Sequence, residues 1–252
     1  MHDAEYRRAL KDWESYITAL TDKIIAVDST IPDLPYKDVG FRIYRDIRFT
    51  TDPTPYKVLR SLFLIPTDKL THPLSQKKPH FSAAFSRTGR KGPYACYYLH
   101  LEPGGLSMVG GGLWHPSGEA LARLRASIDE RPQWWRRVLG EQAFGETFLN
   151  LGSSSKPKGK KGEKKLEEKE EAAIKAFAER NKEGALKTRP KGFVPDHRDM
   201  ALLKLRNFTV GKKLGDGVFT AEEGQEEVAG VVGAMVGFVS TPFLFQADSG
   251  EV

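Results

Sequence analysis

Between Tyr6 and Val27 the chain repeats apolar residues in steps of four and three: Tyr6, Leu10, Trp13, Ile17, Leu20, Ile24 and Val27. On an α-helix that spacing puts all of them on one stripe. A stripe of that length must dock on another element, most simply a sheet. A coiled-coil partner is the alternative, disfavoured because Tyr6 and Trp13 are poor seam residues. Asp28-Ser29-Thr30 and the prolines Pro32 and Pro35 close the helix.

The segment that follows supplies the sheet. Phe41 to Thr50, His80 to Arg87 and Tyr94 to Glu102 alternate, and Leu106 to Trp114 is apolar up to its glycines. Thr88-Gly89-Arg90-Lys91-Gly92-Pro93 and Pro103-Gly104-Gly105 provide turn residues between successive strands. Short links favour antiparallel neighbours. The expected fold is α+β: an antiparallel β-meander of about four or more strands packed against several helices, in a single domain over residues 1–252.

Helical signals then take over. Ser117 is a candidate N-cap for a helix carrying Leu121, Leu124 and Ile128, and Pro132 begins a second that stops near Gly140. Residues 153–185 read as a charged linker and helix, with Leu166, Ile174 and Phe177 as its stripe from Glu163 to Lys182. Asp196 or Asp199 is a candidate cap for a helix with Met200, Leu203 and Leu205. Thr220 and Glu223 make a capping box for the last helix.

The formal net charge is +6, which invites a nucleic-acid partner. Much of the lysine, however, lies between Lys156 and Lys169 among Glu163, Glu167 and Glu168, the pattern of a solvated linker or helix. The basic stretch Lys187, Arg189 and Lys191 reads as either an anion contact or an exposed loop. No apolar run is long enough to cross a bilayer; Val228 to Thr241 carries glycines and reads as a buried helix. The N-terminus lacks an apolar signal core, and the one cysteine, Cys96, cannot form an internal disulfide. The expected location is cytoplasmic or nuclear, with no membrane partner.

Chemistry concentrates in Phe41-Arg42-Ile43-Tyr44-Arg45-Asp46-Ile47-Arg48-Phe49. On a strand Arg42, Tyr44, Asp46 and Arg48 share one face, while Arg45 lies among large apolar residues on the other. Arg45 then needs a carboxylate or several carbonyls, with Asp52 and Glu102 as candidate partners, because an unpaired buried charge is costly. Arg42 and Arg48 suit an anion clamp; Asp46 between them is either their salt-bridge partner or a base. Gly110, Gly111 and Gly112, followed by Trp114, precede a helix start and read as an anion-accepting turn or as a bulge or bend. The phosphate-loop and dinucleotide spacings are absent.

Tyr94, Cys96, Tyr98, His100 and Glu102 share one face of a strand, and Cys96 reads as structural rather than nucleophilic. His72, His80 and His115 have no Cys or His partner at metal spacing. No metal site and no cofactor are expected.

The pattern R-x-x-R-D-x-R-F at Arg42 to Phe49, with Asp52 and Pro55-Tyr56, resembles the signature of the conserved hypothetical family termed domain of unknown function 2461. Arg87 to Tyr94, Gly110 to Trp114 and Pro190-Lys191-Gly192 resemble its fungal branch. The resemblance implies a fold but no activity, cofactor or substrate.

Three departures stand out. Pro53 replaces a usual lysine, and Met1 falls inside a helical region that other members extend. Residues 58–77 separate T-P-Y-K (Thr54 to Lys57) from P-H-F-S-A-A (Pro79 to Ala84), which run together in the family. We expect 58–77 to be a translated intron, since Val58 and Gln76 fit splice-site codons; a transcript that still encodes the segment after splicing would refute this. The tail 243–252 is also atypical.

Two functions from different classes follow. One is a binding module for an anionic small molecule or nucleic acid, using Arg42, Arg45, Arg48 and Asp52 with Tyr44, Tyr56 and Trp114 as stacking surfaces. The other is an enzyme with a pocket between the arginine strand and the glycine-rich turn, with Asp46 or His100 as the acid–base group.

Overall fold

The computed structural model describes residues 3–41, 80–152 and 160–240. The arginine-bearing segment, the 58–77 segment, the first residues of the charged linker and the tail therefore lie outside the described residues.

The described chain is α+β. Helix α1 (Asp3–Val27) and the short α2 (Tyr36–Val39) precede strands β1 (Phe81–Phe85), β2 (Cys96–Leu101) and β3 (Met108–Leu113). Helices α3 (Gly118–Glu130), α4 (Pro132–Leu139), α5 (Gln142–Phe148), α6 (Lys160–Arg180) and α7 (Met200–Leu203) lead to β4 (Phe208–Lys213). Helices α8 (Gly224–Gly233) and α9 (Val236–Val239) follow. The strands form one sheet in the order β1-β2-β3-β4, and β1 lies antiparallel to β2 with Phe81 opposite Leu101 and Phe85 opposite Tyr97. β1, β2 and β3 follow one another through short links, as expected of a meander, whereas β4 joins the same sheet after five described helices. Its fourth described strand, β4, was not anticipated from the sequence.

The chain divides into two compact units, one of 1–92, 96–110 and 211–233, the other of 93–95, 111–210 and 234–252. In the first, α1 buries Trp13, Ile17, Leu20 and Ile24, each stabilising by roughly 1.5–3 kcal/mol. Trp13 and Tyr6 both stack on Phe81 of β1, with ring centroids 5.6 and 6.4 Å away. The apolar stripe thus faces the sheet, with α8 packed along the same helix. Beyond its end, Asp28 is buried and accepts a 2.6 Å hydrogen bond from Tyr97 Oη and a 3.0 Å bond from the Thr30 amide. Asp28 therefore both stops the helix and ties its end to β2. The Pro103-Gly104-Gly105 turn is clamped by Asp216, whose carboxylate accepts from the amides of Gly104 and Gly105 at 2.8 and 3.0 Å. Those two bonds hold its carboxyl below the usual range.

The second unit is built around aromatic residues. Trp135 and Phe177 pack on Phe208, and Phe144 and Phe177 pack on Phe238, all of them buried. Trp135 Nε1 donates to Ser127 Oγ at 3.1 Å, so the buried indole is satisfied. The Asn181 side chain donates to Thr209 O and accepts from Thr209 N, both at 3.0 Å, pairing with β4 as a neighbouring backbone would.

Several helix signals hold. The Ser117 side chain accepts from Ala120 N, Pro132 opens α4, and Gly140 closes it. Ile174 and Phe177 of α6 are buried, but Leu166 is 47% exposed, so the stripe covers only the C-terminal half of that helix. Two signals fail. Asp199 precedes α7 without capping it, because its carboxylate is engaged by arginines. Thr220 ends a 3-10 turn over Asp216–Phe219, and the helix begins only at Gly224. A side chain at 224 would overlap the Val218 carbonyl. The chain crosses itself too closely there for a helix started at Thr220.

Candidate functional site

Residue alternation divides the β1–β2 hairpin into two faces. Phe81, Ala83 and Phe85 with Tyr97, Leu99 and Leu101 form the face that carries Phe81 to Trp13. Ser82 and Ala84 with Tyr98 and His100 form the other, and the register extended by one pair sets His80 opposite Glu102 there. On this second face Ala84, Tyr98 and Met108 make a small buried cluster against which Phe41 and Cys96 pack.

The polar end of that face is the most chemically distinctive part of the described chain. His100 Nε2 lies 3.0 Å from Glu102 Oε2. The His80 ring is 4.7 Å from that of His100, and the Tyr98 ring lies 6.3 Å from His100 on the same face. One donor atom from each of His80, His100 and Glu102 falls within 4.8 Å of the others. Both histidines are largely buried. Glu102 is fixed through its backbone: its N–H donates to Ser107 Oγ, which in turn donates to Glu102 O, each at 3.0 Å.

Spacing along the sequence missed this group because its members are 20 and 2 residues apart, which matches no local ligand motif. The signal that could have found it is the register of the hairpin. Once Ser82 faces His100, His80 must sit beside them.

The remaining anticipated site residues fall into two sets. Arg42, Tyr44, Arg45, Asp46, Arg48, Asp52 and Tyr56 lie outside the described residues. What is described is the approach to them: Gly40 bridges Ala83, and Phe41 N donates to Ser82 O at 2.9 Å. The chain thus reaches β1 immediately before Arg42. Beside it, the Arg90 guanidinium lies 6.0 Å from the Phe41 ring centroid and Nη2 donates to Lys37 O at 2.9 Å. Arg90 Nε is buried and has no hydrogen-bond partner among the described residues.

Gly110, Gly111 and Gly112 are buried inside β3 rather than in a turn. At Gly112, with φ +117°, a Cβ would overlap Phe208 O and lie 3.0 Å from Phe238. Close packing accounts for that glycine. Trp114 is 42% exposed and meets the His115 ring edge-on. Lys187, Arg189 and Lys191 are exposed. Burial pushes the Cys96 thiol up to about 12, which leaves almost no thiolate at neutral pH, although part of the residue's surface remains accessible.

No helix among the described residues is long and apolar enough to cross a membrane. Comparison with curated proteins and with solved structures finds no match. The family described as "Conserved hypothetical protein (DUF2461)" matches residues 1–240. The match spans both compact units and ends just before the atypical tail, and on it the chain belongs to that family.

Proposed function

We propose that the chain is a binding module for an anionic ligand, held by the arginine-bearing segment that starts after Phe41. The observation supporting this is the described approach to that segment. Phe41 is hydrogen-bonded to β1 and lies under a guanidinium whose buried Nε has no partner among the described residues. A buried guanidinium N–H without an acceptor is costly, and an anion bound beside Phe41 supplies the acceptor. Arg42 and Arg48 follow directly in sequence and add the charge that fits carboxylate or phosphate oxygens.

The test is calorimetric titration of the full chain with inorganic phosphate, pyrophosphate and a short single-stranded DNA at low and high salt. Binding of a small anion that weakens with salt, and at least about tenfold in Arg42→Ala and Arg48→Ala, is the expected result. Salt-independent binding, or binding of none of the three probes, would overturn the reading. Binding of the DNA alone would assign the surface to nucleic acid instead.

An enzyme is the second reading, favoured by the oriented His100–Glu102 pair. A carboxylate at hydrogen-bond distance sets the tautomer of an imidazole for acid–base work. It predicts a His100→Gln variant that still binds the anion but turns nothing over. On the motifs around Arg87, Gly110 and Pro190 we place the chain in the fungal branch of the family. On its single cysteine we place it in the cytoplasm or nucleus.

A further inference from the structure

We propose that His80, His100 and Glu102 bind a first-row transition-metal dication of the zinc or iron(II) type. This inference stands apart from the anion-binding reading, since it uses none of the arginines. Three observations carry it. The first is convergence: one donor atom from each residue lies within 4.8 Å of the other two. Donors bound to one tetrahedral ion at about 2.0–2.2 Å lie about 3.3–3.6 Å apart; the His100–Glu102 pair is already at 3.0 Å, and rotation of the side chains by up to about 1.5 Å at the donor atoms brings the set to that spacing.

The second is chemistry. Two imidazoles and one carboxylate suit zinc, iron, cobalt or nickel and discriminate against magnesium and calcium, which take oxygen ligands. Three protein ligands leave coordination positions open, as in sites that bind water or substrate on the metal.

The third is rigidity. His100 lies in β2, and His80 and Glu102 directly flank the paired ends of the hairpin. The Ser107 hydroxyl holds the Glu102 backbone on both its N–H and C=O. Tyr98 and Ser82 line the same face. Ligands mounted on or directly beside paired strands are held more closely than ligands on loops. The competing account is a His100–Glu102 hydrogen bond with a second ring stacked beside it. That account explains the 3.0 Å contact and the neighbouring rings; a bound ion explains in addition the convergence of three donor atoms.

The test uses the full chain, stripped with a chelator and titrated with cobalt(II), whose visible d–d bands report imidazole and carboxylate ligation directly. The expected result is one cobalt per chain, displaced by zinc, with affinity lowered at least about tenfold in His80→Gln, His100→Gln and Glu102→Gln. Losing a group that merely hydrogen-bonds to a ligand already costs about 10–100-fold in many metal sites. His115→Asn is the control and should bind cobalt as the parent does; asparagine tolerates the positive φ of 47° at that position. Absence of d–d bands in the parent chain, or unchanged affinity in both histidine variants, would overturn the site. If a histidine variant does not fold, Glu102→Gln decides. Its side chain is the more accessible of the His100–Glu102 pair, at 21% against 10%, and affinity equal to the parent's would end the proposal. Tighter binding of magnesium than of zinc would equally exclude the class of ion assigned here.

Discussion

Gly112→Ala is expected to lower the stability of the chain by roughly 2–6 kcal/mol, as the sum of backbone strain (about 1–3 kcal/mol) and overpacking (about 1–3 kcal/mol). Both terms arise from one geometry. The residue sits in β3 at φ +117°, where an L side chain is strained. The new methyl would overlap the Phe208 carbonyl oxygen, with Thr209 Cα and Phe238 Cε1 each 3.0 Å away. A backbone carbonyl in a paired strand cannot swing aside as a flexible side chain can, so β3 and β4 would have to part locally. Phe208 would be displaced with them, and it packs against Trp135 and Phe177. Gly230→Ala is the matched control: it lies within α8 with open space at its Cβ position. It should stabilise by about 0.5–1 kcal/mol through helix propensity alone. Urea unfolding of the two variants gives the comparison. A Gly112→Ala variant within 0.5 kcal/mol of the parent, a small fraction of a typical domain's stability, would show that the strands can separate at little cost.

The same glycine shows where sequence reasoning reached its limit. Three consecutive glycines before a helix start look like a loop, because loops need their conformational freedom most often. Here the freedom serves close approach within a sheet, and that becomes visible only when β4 is in place. β4 itself was hidden for a related reason. Phe208-Thr209-Val210 alternates, but Gly211-Lys212-Lys213 reads as polar surface, so the period-2 pattern is too short to stand out. By contrast α1 was legible from its stripe: Trp13, Ile17, Leu20 and Ile24 are buried as expected, while Val27 at its end is exposed. The β1–β2 hairpin was legible because both strands alternate and the link between them is rich in glycine.

The metal-competent cluster lay between these cases. His100 and Glu102 were placed on one face by alternation alone. His80 was not, because its neighbours depend on which residue of β1 faces which residue of β2, and a slip of one residue would have turned His80 to the opposite face. Local patterns specify faces; long-range pairing specifies partners. The failed cap at Asp199 follows the same rule. An aspartate just before a short helix is a sound local cap, but Arg136 lies 63 positions away in sequence and competes more strongly for its carboxylate.

That competition sets the second large expectation. Asp199→Ala should cost about 3–5 kcal/mol, the range found when one member of a buried ion pair is removed. Asp199 is only 1% exposed. Its Oδ1 accepts from Arg136 Nη2 at 2.7 Å and its Oδ2 from Arg136 Nη1 at 3.2 Å, a two-pronged contact that fixes the guanidinium plane. Hydrogen bonding to Asp199 raises the Arg136 pKa above its ordinary value; that support leaves with Asp199, and the arginine stays charged without it because a guanidinium is not deprotonated in proteins. The cost is therefore mainly that of leaving the Arg136 charge, whose side chain is 14% exposed, with the exposed Glu171 carboxylate 3.8 Å away as a weaker partner. Arg198 also donates to Asp199 Oδ2, at 2.9 Å, but is half exposed and should contribute little by itself. Replacing both partners with apolar residues, as in Arg136→Met with Asp199→Leu, should cost much less than Asp199→Ala alone, because no charge is left buried. Denaturant midpoints of the single and double variants, read as a double-mutant cycle, measure the difference. A double variant as unstable as the single one would locate the loss in packing around α7 rather than in the guanidinium left behind.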